Sequence, residues 1–334
     1  RPVEHVKKDI DTVHKYVTLA REIVGNANHF PRAAVAELAG KSEPDEYAAF
    51  QAAVHWIMGG MRSIFLQDAN SLVIKPANLI DILRHLREKF PHVERITSYA
   101  RSDTAARIKD EDLKAMAEAG LNRIHIGMES GSDEVLKRVQ KGVTKAIHIK
   151  AGRKVKKAGM ELSEYVMPGL GGKTLWETHA RETADALNRI NPDFIRLRTL
   201  ALPTNLELYD DFQSGEFVKS TEFETVKEIR LFIEGLDGIT SMVKSDHILN
   251  LFQDLEGRLP EDKERMLGIL QTFLSMEPDR RCVYQVGRRM GLFEGLGDMD
   301  IPDRLAAAES VCRRYGVTPE NVDDLIEQAK RGFV

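Results

Sequence analysis

Hydrophobic positions along this chain switch repeatedly between a helical and a strand period. After Pro2, which suits the first turn of a helix, Val3, Val6, Ile10, Val13 and Val17 recur at helical spacing up to Gly25. Residues 26–60 are more polar, carry Pro31 and Pro44, hold a helical piece over 46–58, and read as an insertion. Ser63–Leu66 is an apolar, strand-like run that stops at Gln67-Asp68-Ala69-Asn70-Ser71. From there the two periods take turns. Leu79, Ile82, Leu83 and Leu86 make a helix face, followed by a strand over 94–99, a helix over 110–119, a strand over 123–128, a helix over 147–158, a strand over 161–167, a helix over 175–190 and a strand over 194–200. That alternation predicts a parallel sheet with right-handed crossovers, so the expected fold class is α/β, a partial (βα)6 TIM-like barrel with a mainly helical C-terminal region. Five strands are visible. A sixth, with whatever loop follows it, is expected upstream of Arg1, because the chain enters at once into a helical pattern.

After Pro203 the rhythm changes, and residues 205–334 read mainly as helices with one short strand-like piece over 239–243. Thr318-Pro319-Glu320 predicts the start of the last helix, with a capping residue and a first-turn proline. The expected division is a core barrel over 1–205 and a helical region over 206–334 that closes it.

The stretch Arg-Ile-His-Ile-Gly-Met-Glu-Ser-Gly-Ser-Asp over 123–133 carries the clearest chemistry. Ile124, Ile126 and Met128 alternate with His125 and Gly127 after a helix-ending Ala119-Gly120, so Glu129 falls where a buried strand stops. In α/β barrels the carboxyl ends of the strands converge on one mouth and carry the functional groups. A carboxylate at an element's end also suits a solvated turn, and the local pattern is compatible with both.

Composition narrows the setting. With 334 residues, 42% hydrophobic and 30% charged, the chain can bury a large core, and its net charge of -4 gives no global argument for nucleic acid. No apolar run approaches the length of a membrane span. Cys282 and Cys312 are the only cysteines and lie far apart in sequence, which argues against a disulfide framework, fits a cytoplasmic protein, and leaves each as a small buried hydrophobe.

Other motifs carry two readings each. Gly169-Leu-Gly-Gly-Lys-Thr174, between a strand and a helix, invites comparison with a phosphate loop, yet Met167 stands where that loop needs its first glycine. The simpler expectation is that Thr174 caps the next helix, with Glu177 completing a capping box. Asp68-Ala69-Asn70 suits either a turn or contact with a ligand's amino group. Arg196 and Arg198 alternate on one strand face and need anionic partners or water, whether a ligand or an ion pair supplies them. Asp246-His247 after the late strand could contact a substrate, or cap and brace the fold.

With these residues in place the chain resembles the radical SAM superfamily, in particular the branch that holds oxygen-independent coproporphyrinogen dehydrogenase, the methylthiotransferases and the elongator-type enzymes. The resemblance spans about residues 1–205, from Arg1-Pro2-Val3-Glu4 at the start of the first helix, and is strongest from Ile126 to Leu136. It implies an enzyme that cleaves S-adenosylmethionine reductively at a [4Fe-4S] cluster to make a 5'-deoxyadenosyl radical for hydrogen abstraction. It also implies an external electron donor such as ferredoxin or flavodoxin. Carried over residue by residue, it puts Glu129, with Ser130 beside it, at the ribose hydroxyls and Lys141 at the methionine carboxylate. Gly169 and Leu200 then lie beside the adenine, and Asp68 and Asn70 stand where the family has the Gly-Gly-Glu that holds the amino group. Arg196, Arg198, Asp246 and His247 are candidates for substrate contact. The CxxxCxxC loop that supplies the cluster ligands is absent, so the metal ligands are expected upstream of Arg1 and this fragment is expected to be inactive alone. Two other readings stand beside this one: a non-catalytic relative that keeps the barrel as a ligand- or partner-binding scaffold, and a phosphate-ligand barrel built on residues 169–174.

Overall fold

The structure is a computed structural model that describes residues 2–25 and 30–330. Arg1, with which the family resemblance opens, lies outside them. Two compact units emerge, one of residues 1–125 and 154–161, the other of residues 126–153 and 162–334.

In the first unit, α1 (Val3–Val24) packs on α2 (Arg32–Gly40), α3 (Tyr47–Met58) and α4 (Pro76–Lys89). The stripe read from the sequence is buried at its C-terminal half, through Tyr16, Val17 and Ala20. The Tyr16 hydroxyl donates to Glu46 at 2.7 Å and its ring meets Phe50 edge-on at 5.9 Å, which fixes the insertion against α1. Leu79, Ile82, Leu83 and Leu86 are the buried face of α4, as their spacing predicts. Strand β1 (Ser63–Leu66) pairs in parallel with β2 (Arg95–Ala100). Helices α5 (Ser102–Arg107) and α6 (Asp110–Glu118) lead to β3 (Leu121–Glu129), which begins in this unit. Neither α2 nor α5 was expected; both are short, and a helix of two turns leaves little periodicity to read. The outer edge of β1 borders an apolar groove of about 810 Å³. Val6, Ile10 and Val13 of α1 line it and remain half-buried, the uncovered half of the helix's apolar stripe.

The second unit takes up the end of β3 and continues through α7 (Asp133–Arg138), most of α8 (Lys145–Lys157), β4 (Glu161–Val166), α9 (Gly172–Ile190) and β5 (Phe194–Leu197). Then come α10 (Glu207–Ser214), α11 (Glu222–Gly235), β6 (Met242–Lys244), β7 (Gly257–Arg258), α12 (Lys263–Leu274), α13 (Pro278–Arg289), α14 (Pro302–Tyr315) and α15 (Val322–Lys330). β4, β5 and β6 pair in parallel and β7 closes the run antiparallel to β6. The seven strands are hydrogen-bonded in chain order, β1-β2-β3-β4-β5-β6-β7, a mostly parallel α/β sheet of the partial-barrel class. The strand-like piece near residue 240 is therefore a sheet member, shifted to Met242–Lys244.

Three expectations at element ends fail. α9 starts at Gly172, and its end carries no side-chain cap. Gly172 takes a left-handed φ of 57°, where a Cβ would lie 2.7 Å from both Phe217 and Val218, so a glycine turn starts the helix before Thr174 can cap it. Thr174 instead accepts a hydrogen bond from Arg138 at 3.2 Å, and the capping box expected with Glu177 does not form. α15 begins at Val322 rather than at Thr318, because the Asn321 side chain accepts from the Thr318 N–H at 2.8 Å and closes a turn there first. β5 ends at Leu197, three residues short of the expected strand.

Candidate active site at the strand ends

β3 delivers Glu129 as its sequence predicts: Ile124, Ile126 and Met128 are fully buried and Glu129 is the strand's last residue. Its backbone is left-handed, with φ 64°, a conformation that costs a non-glycine residue about 1–2 kcal/mol. Such strain persists only where the surroundings impose it. Here the Glu129 carbonyl accepts from the Met167 N–H at 2.9 Å, and the Ser130 N–H donates to Met128 at 2.8 Å. The Glu129 carboxylate is ion-paired with the Lys141 ammonium, their side chains 27% and 25% exposed. Gly127 leaves them room: a Cβ there would sit 3.3 Å from the carboxylate and 3.6 Å from the ammonium. Ser130 is turned inward. Fully buried, its hydroxyl bonds His179 Nδ1 at 2.8 Å and accepts from the Ser132 N–H at 3.0 Å.

Gly169 also has a left-handed φ, of 90°, and its N–H donates to the Glu228 carboxyl at 2.9 Å. His179 Nε2 donates to the Met167 carbonyl at 3.1 Å, which leaves Nδ1 to accept from Ser130. Burial pushes Glu228 up to about 8, against the Gly169 N–H, and pushes His179 down to about 4, so both are neutral at pH 7. The Leu200 N–H donates to Pro168 at 3.0 Å. Pro168, Gly169, Thr199, Leu200, Thr225 and Val226 line part of a pocket of about 180 Å³. Lys173 is ion-paired with Glu224 at 3.2 Å.

Arg196, Arg198 and Asp246 come together. Asp246 Oδ2 pairs with Arg196 and Oδ1 with Arg198 at 2.7 Å. Burial raises the Asp246 carboxyl, but the Arg198 hydrogen bond and the charges of both arginines hold it below the ordinary range. Burial and the charge of Arg198 push His247 down, and its Nδ1 is buried without a hydrogen bond. In the first unit Asn70 bridges its loop to α5, accepting from the Arg101 N–H at 3.1 Å and donating to Thr104 at 3.0 Å, while Asp68 is exposed and lines the β1 groove.

Sequence reasoning missed three buried polar groups. Glu228 and His179 sit on helices and acquire partners only through folding. Glu164 on β4 is fully buried, neither carboxylate oxygen has a hydrogen bond, and burial pushes its carboxyl well up against the opposing charge of Lys141. A charged residue inside a strand run that otherwise reads as buried was the available signal.

The cluster does not fit the residues present. Among the described residues no group of three or more histidine, cysteine or acidic side chains could hold a metal ion. Cys282 and Cys312 are free and buried against Val286, Val322 and Ile326, and burial pushes the Cys282 thiol up to about 11. S-adenosylmethionine fares better, since the Glu129 carboxylate and the Lys141 ammonium are opposite charges for a zwitterion carrying hydroxyls.

Residues 34–184 match the sequence profile of the radical SAM superfamily. Among curated relatives it is 25% identical over 122 residues to the tRNA uridine(34) acetyltransferase of Methanocaldococcus infernus, covering 36% of this chain and 23% of that protein. It is 24% identical over 122 residues to the enzyme of the same name from Methanocaldococcus jannaschii, covering 36% and 22%. The chain thus spans about a quarter of the length of these relatives. Among solved structures it is similar to the Methanocaldococcus infernus Elp3 with an N-terminal deletion, at TM-score 0.47 and 18% identity over 60% of this chain and 53% of that one. It is also similar to the radical SAM coproporphyrinogen III oxidase HemN of Escherichia coli, at TM-score 0.46 and 14% identity over 71% and 46%. No helix among the described residues is long and apolar enough to cross a membrane.

Proposed function

We propose that this chain is the S-adenosylmethionine-binding core of a radical SAM enzyme. The observation that carries the proposal is Glu129, held in a strained backbone at the end of β3 with Lys141 on its carboxylate, inside the segment that matches the superfamily. In the unliganded chain the two charges satisfy each other. A bound zwitterion exchanges that internal pair for external partners: its carboxylate takes the Lys141 ammonium, and its ribose hydroxyls donate to the freed Glu129 carboxylate. Each side chain is about a quarter exposed, so the exchange leaves no bare charge in a dry interior. The left-handed turn fixes where the carboxylate stands before the ligand arrives, which lowers the ordering cost of binding. Gly169 and Leu200, their N–H groups held by Glu228 and Pro168, line a pocket where they offer van der Waals contact to a flat base.

Held by Glu129 and Lys141 beside a reducing [4Fe-4S] cluster, S-adenosylmethionine would supply radical chemistry for hydrogen abstraction. The cluster's three thiolates must then come from outside these 334 residues. The free edge of β1, with its apolar groove, is a place where one more strand fits the first unit. Two measurements test the proposal. Equilibrium dialysis of the chain against S-adenosylmethionine should show binding that Glu129→Gln weakens. The natural coding sequence upstream of Arg1 should encode three cysteines at CxxxCxxC spacing, and the protein it specifies, reconstituted with iron and sulfide without oxygen, should release 5'-deoxyadenosine under reductant. Absence of both binding and the cysteines would overturn it.

A further inference from the structure

We propose that Arg196 and Arg198 form a binding site for an anionic group, carboxylate or phosphate, of the substrate, and that Asp246 occupies that site in the unliganded chain.

Parity on the sheet puts both guanidinium groups on one face. Register pairs Tyr165 with Arg196 and Ser163 with Phe194, so Arg196 and Arg198 share a face with Ser163 and Tyr165, opposite Glu164 and Ile195. Each arginine is braced by its own neighbours. Arg196 donates through Nε to the Ser163 hydroxyl at 3.2 Å and lies 5.7 Å from the Phe194 ring centre, while Arg198 lies 4.9 Å from the Tyr165 ring centre and donates to the Leu197 carbonyl at 3.0 Å. Their side chains are only 16% and 25% exposed, which makes a rigid pair rather than two solvated arms.

The charges do not balance. Two guanidinium groups face one carboxylate, His247 beside it is held neutral, and the nearby Lys244 is already paired with Glu256 at 2.6 Å. The donors do not balance either. Each arginine meets Asp246 through Nη1 alone, so the Nη2 groups of both make no hydrogen bond among the described residues. A guanidinium has five N–H donors in a fork suited to two-pronged contact with carboxylate or phosphate, and this geometry leaves the second prong of each open. Asp246 is the least enclosed partner of the three. At 41% it is the most exposed, and it sits in the loop after β6, where its neighbours Ser245 and Asn250 rather than Asp246 itself hold the loop down. Asn250 ties that loop to β5, donating to the Leu197 carbonyl at 3.0 Å and accepting from the Thr199 N–H at 3.0 Å. The loop can therefore keep its place while the carboxylate of Asp246 swings away.

Position supports a substrate. The Arg198 N–H donates to Val166 and the Met167 N–H to Glu129, both at 2.9 Å, so these strand ends are neighbours. Two strand spacings separate Glu129 from Arg198, about 10 Å along the sheet. Calling the anion part of a substrate rests on the radical SAM reading; the anion site itself does not.

The test is made on the whole chain without iron or S-adenosylmethionine, so failure of the radical SAM reading would leave it standing. Isothermal titration with inorganic phosphate and with acetate, at constant ionic strength set with chloride, should show saturable binding of at least one, and which of the two binds identifies the group. Arg198→Gln should weaken that binding about tenfold, since it removes a charge and a fork. Asp246→Asn should tighten it several-fold, because it removes the internal competitor and leaves two positive charges unanswered. A purely structural ion-pair network would give the opposite result for Asp246→Asn, with lower stability and no gain in anion affinity. Arg196→Lys, which keeps the charge and loses the fork, should retain weaker binding and serves as the control that folds. No saturable binding to either the native chain or Asp246→Asn, or weaker binding in Asp246→Asn, would overturn the proposal.

Discussion

Two ionic clusters at the strand ends of the second unit differ in what they can do. Glu129 and Lys141 form a balanced pair, one carboxylate on one ammonium, on a strained turn that fixes the carboxylate. Arg196, Arg198 and Asp246 form an unbalanced set, two cations on one carboxylate, with the carboxylate on the least buried side chain. The balanced pair suits a ligand with both signs of charge, because exchange leaves each group answered. The unbalanced one suits an anion, because the resident carboxylate can be replaced by another. Half-burial is what gives either exchange its weight, since in full solvent such pairs contribute little.

Substitutions can sharpen that difference. The largest effect is expected from Glu129→Ala, which on the proposed reading removes the acceptor for both ribose hydroxyls: S-adenosylmethionine binding should weaken at least about a hundredfold, since hydrogen bonds to a charged group contribute roughly 1.5–3 kcal/mol each. Equilibrium dialysis measures it, and retention of native affinity would put the ribose elsewhere. The matching removal at Asp246 should strengthen anion binding, so the two carboxylates should respond with opposite signs.

Next in size is a pH effect from the buried groups behind the glycine turn. The folded chain keeps the Glu228 proton up to about 8, whereas the unfolded chain releases it near 4.5, so this residue makes stability fall as pH rises through that window. His179 acts in the other direction. Neutral in the fold down to about 4 and protonated below 6.5 when unfolded, it contributes stability above 6.5 that is lost as pH falls toward 4. Glu228→Gln should therefore flatten the decline between about pH 4.5 and 8 by about 1.4 kcal/mol per pH unit, read from urea unfolding at a series of pH values. An unchanged slope would show that Glu228 ionises normally.

Smaller effects separate strain from contact. Glu129→Gly relieves the left-handed backbone by about 1 kcal/mol while losing an ion pair of similar size, so its melting temperature should stay near that of the native chain as binding is lost. A large drop would mean that the pair matters more for the fold than for a ligand. Thr221→Ala removes a formed capping box on α11 and should cost about 1 kcal/mol by thermal unfolding, with no effect on anion binding at Arg196 and Arg198.

Much of this was written locally. Period-2 and period-3.6 patterns, punctuated by Gly120, Gly169 and Pro203, placed five strands and most of the helices in the first 205 residues. The end of β3 at Glu129 followed from the same alternation. The capping box at Thr174 was misread because a short-range rule cannot know that Phe217 and Val218 press on Gly172 from 45 residues away and start the helix early. A three-residue strand such as β6 has too few positions to show a period, and it becomes a strand only by pairing with β5.

The sequence by itself determined the α/β alternation, the strand that ends at Glu129, and the inventory of charges near the strand ends, because these depend on side-chain period and residue type. Only the tertiary structure decided which charges meet. Asp246 reaches two arginines about 50 residues back, Glu228 finds the Gly169 N–H, and Glu164 is sealed from water beside neighbours that no window of sequence contains. Their protonation and their readiness to exchange partners follow from burial and proximity, and those exist only once the chain is folded.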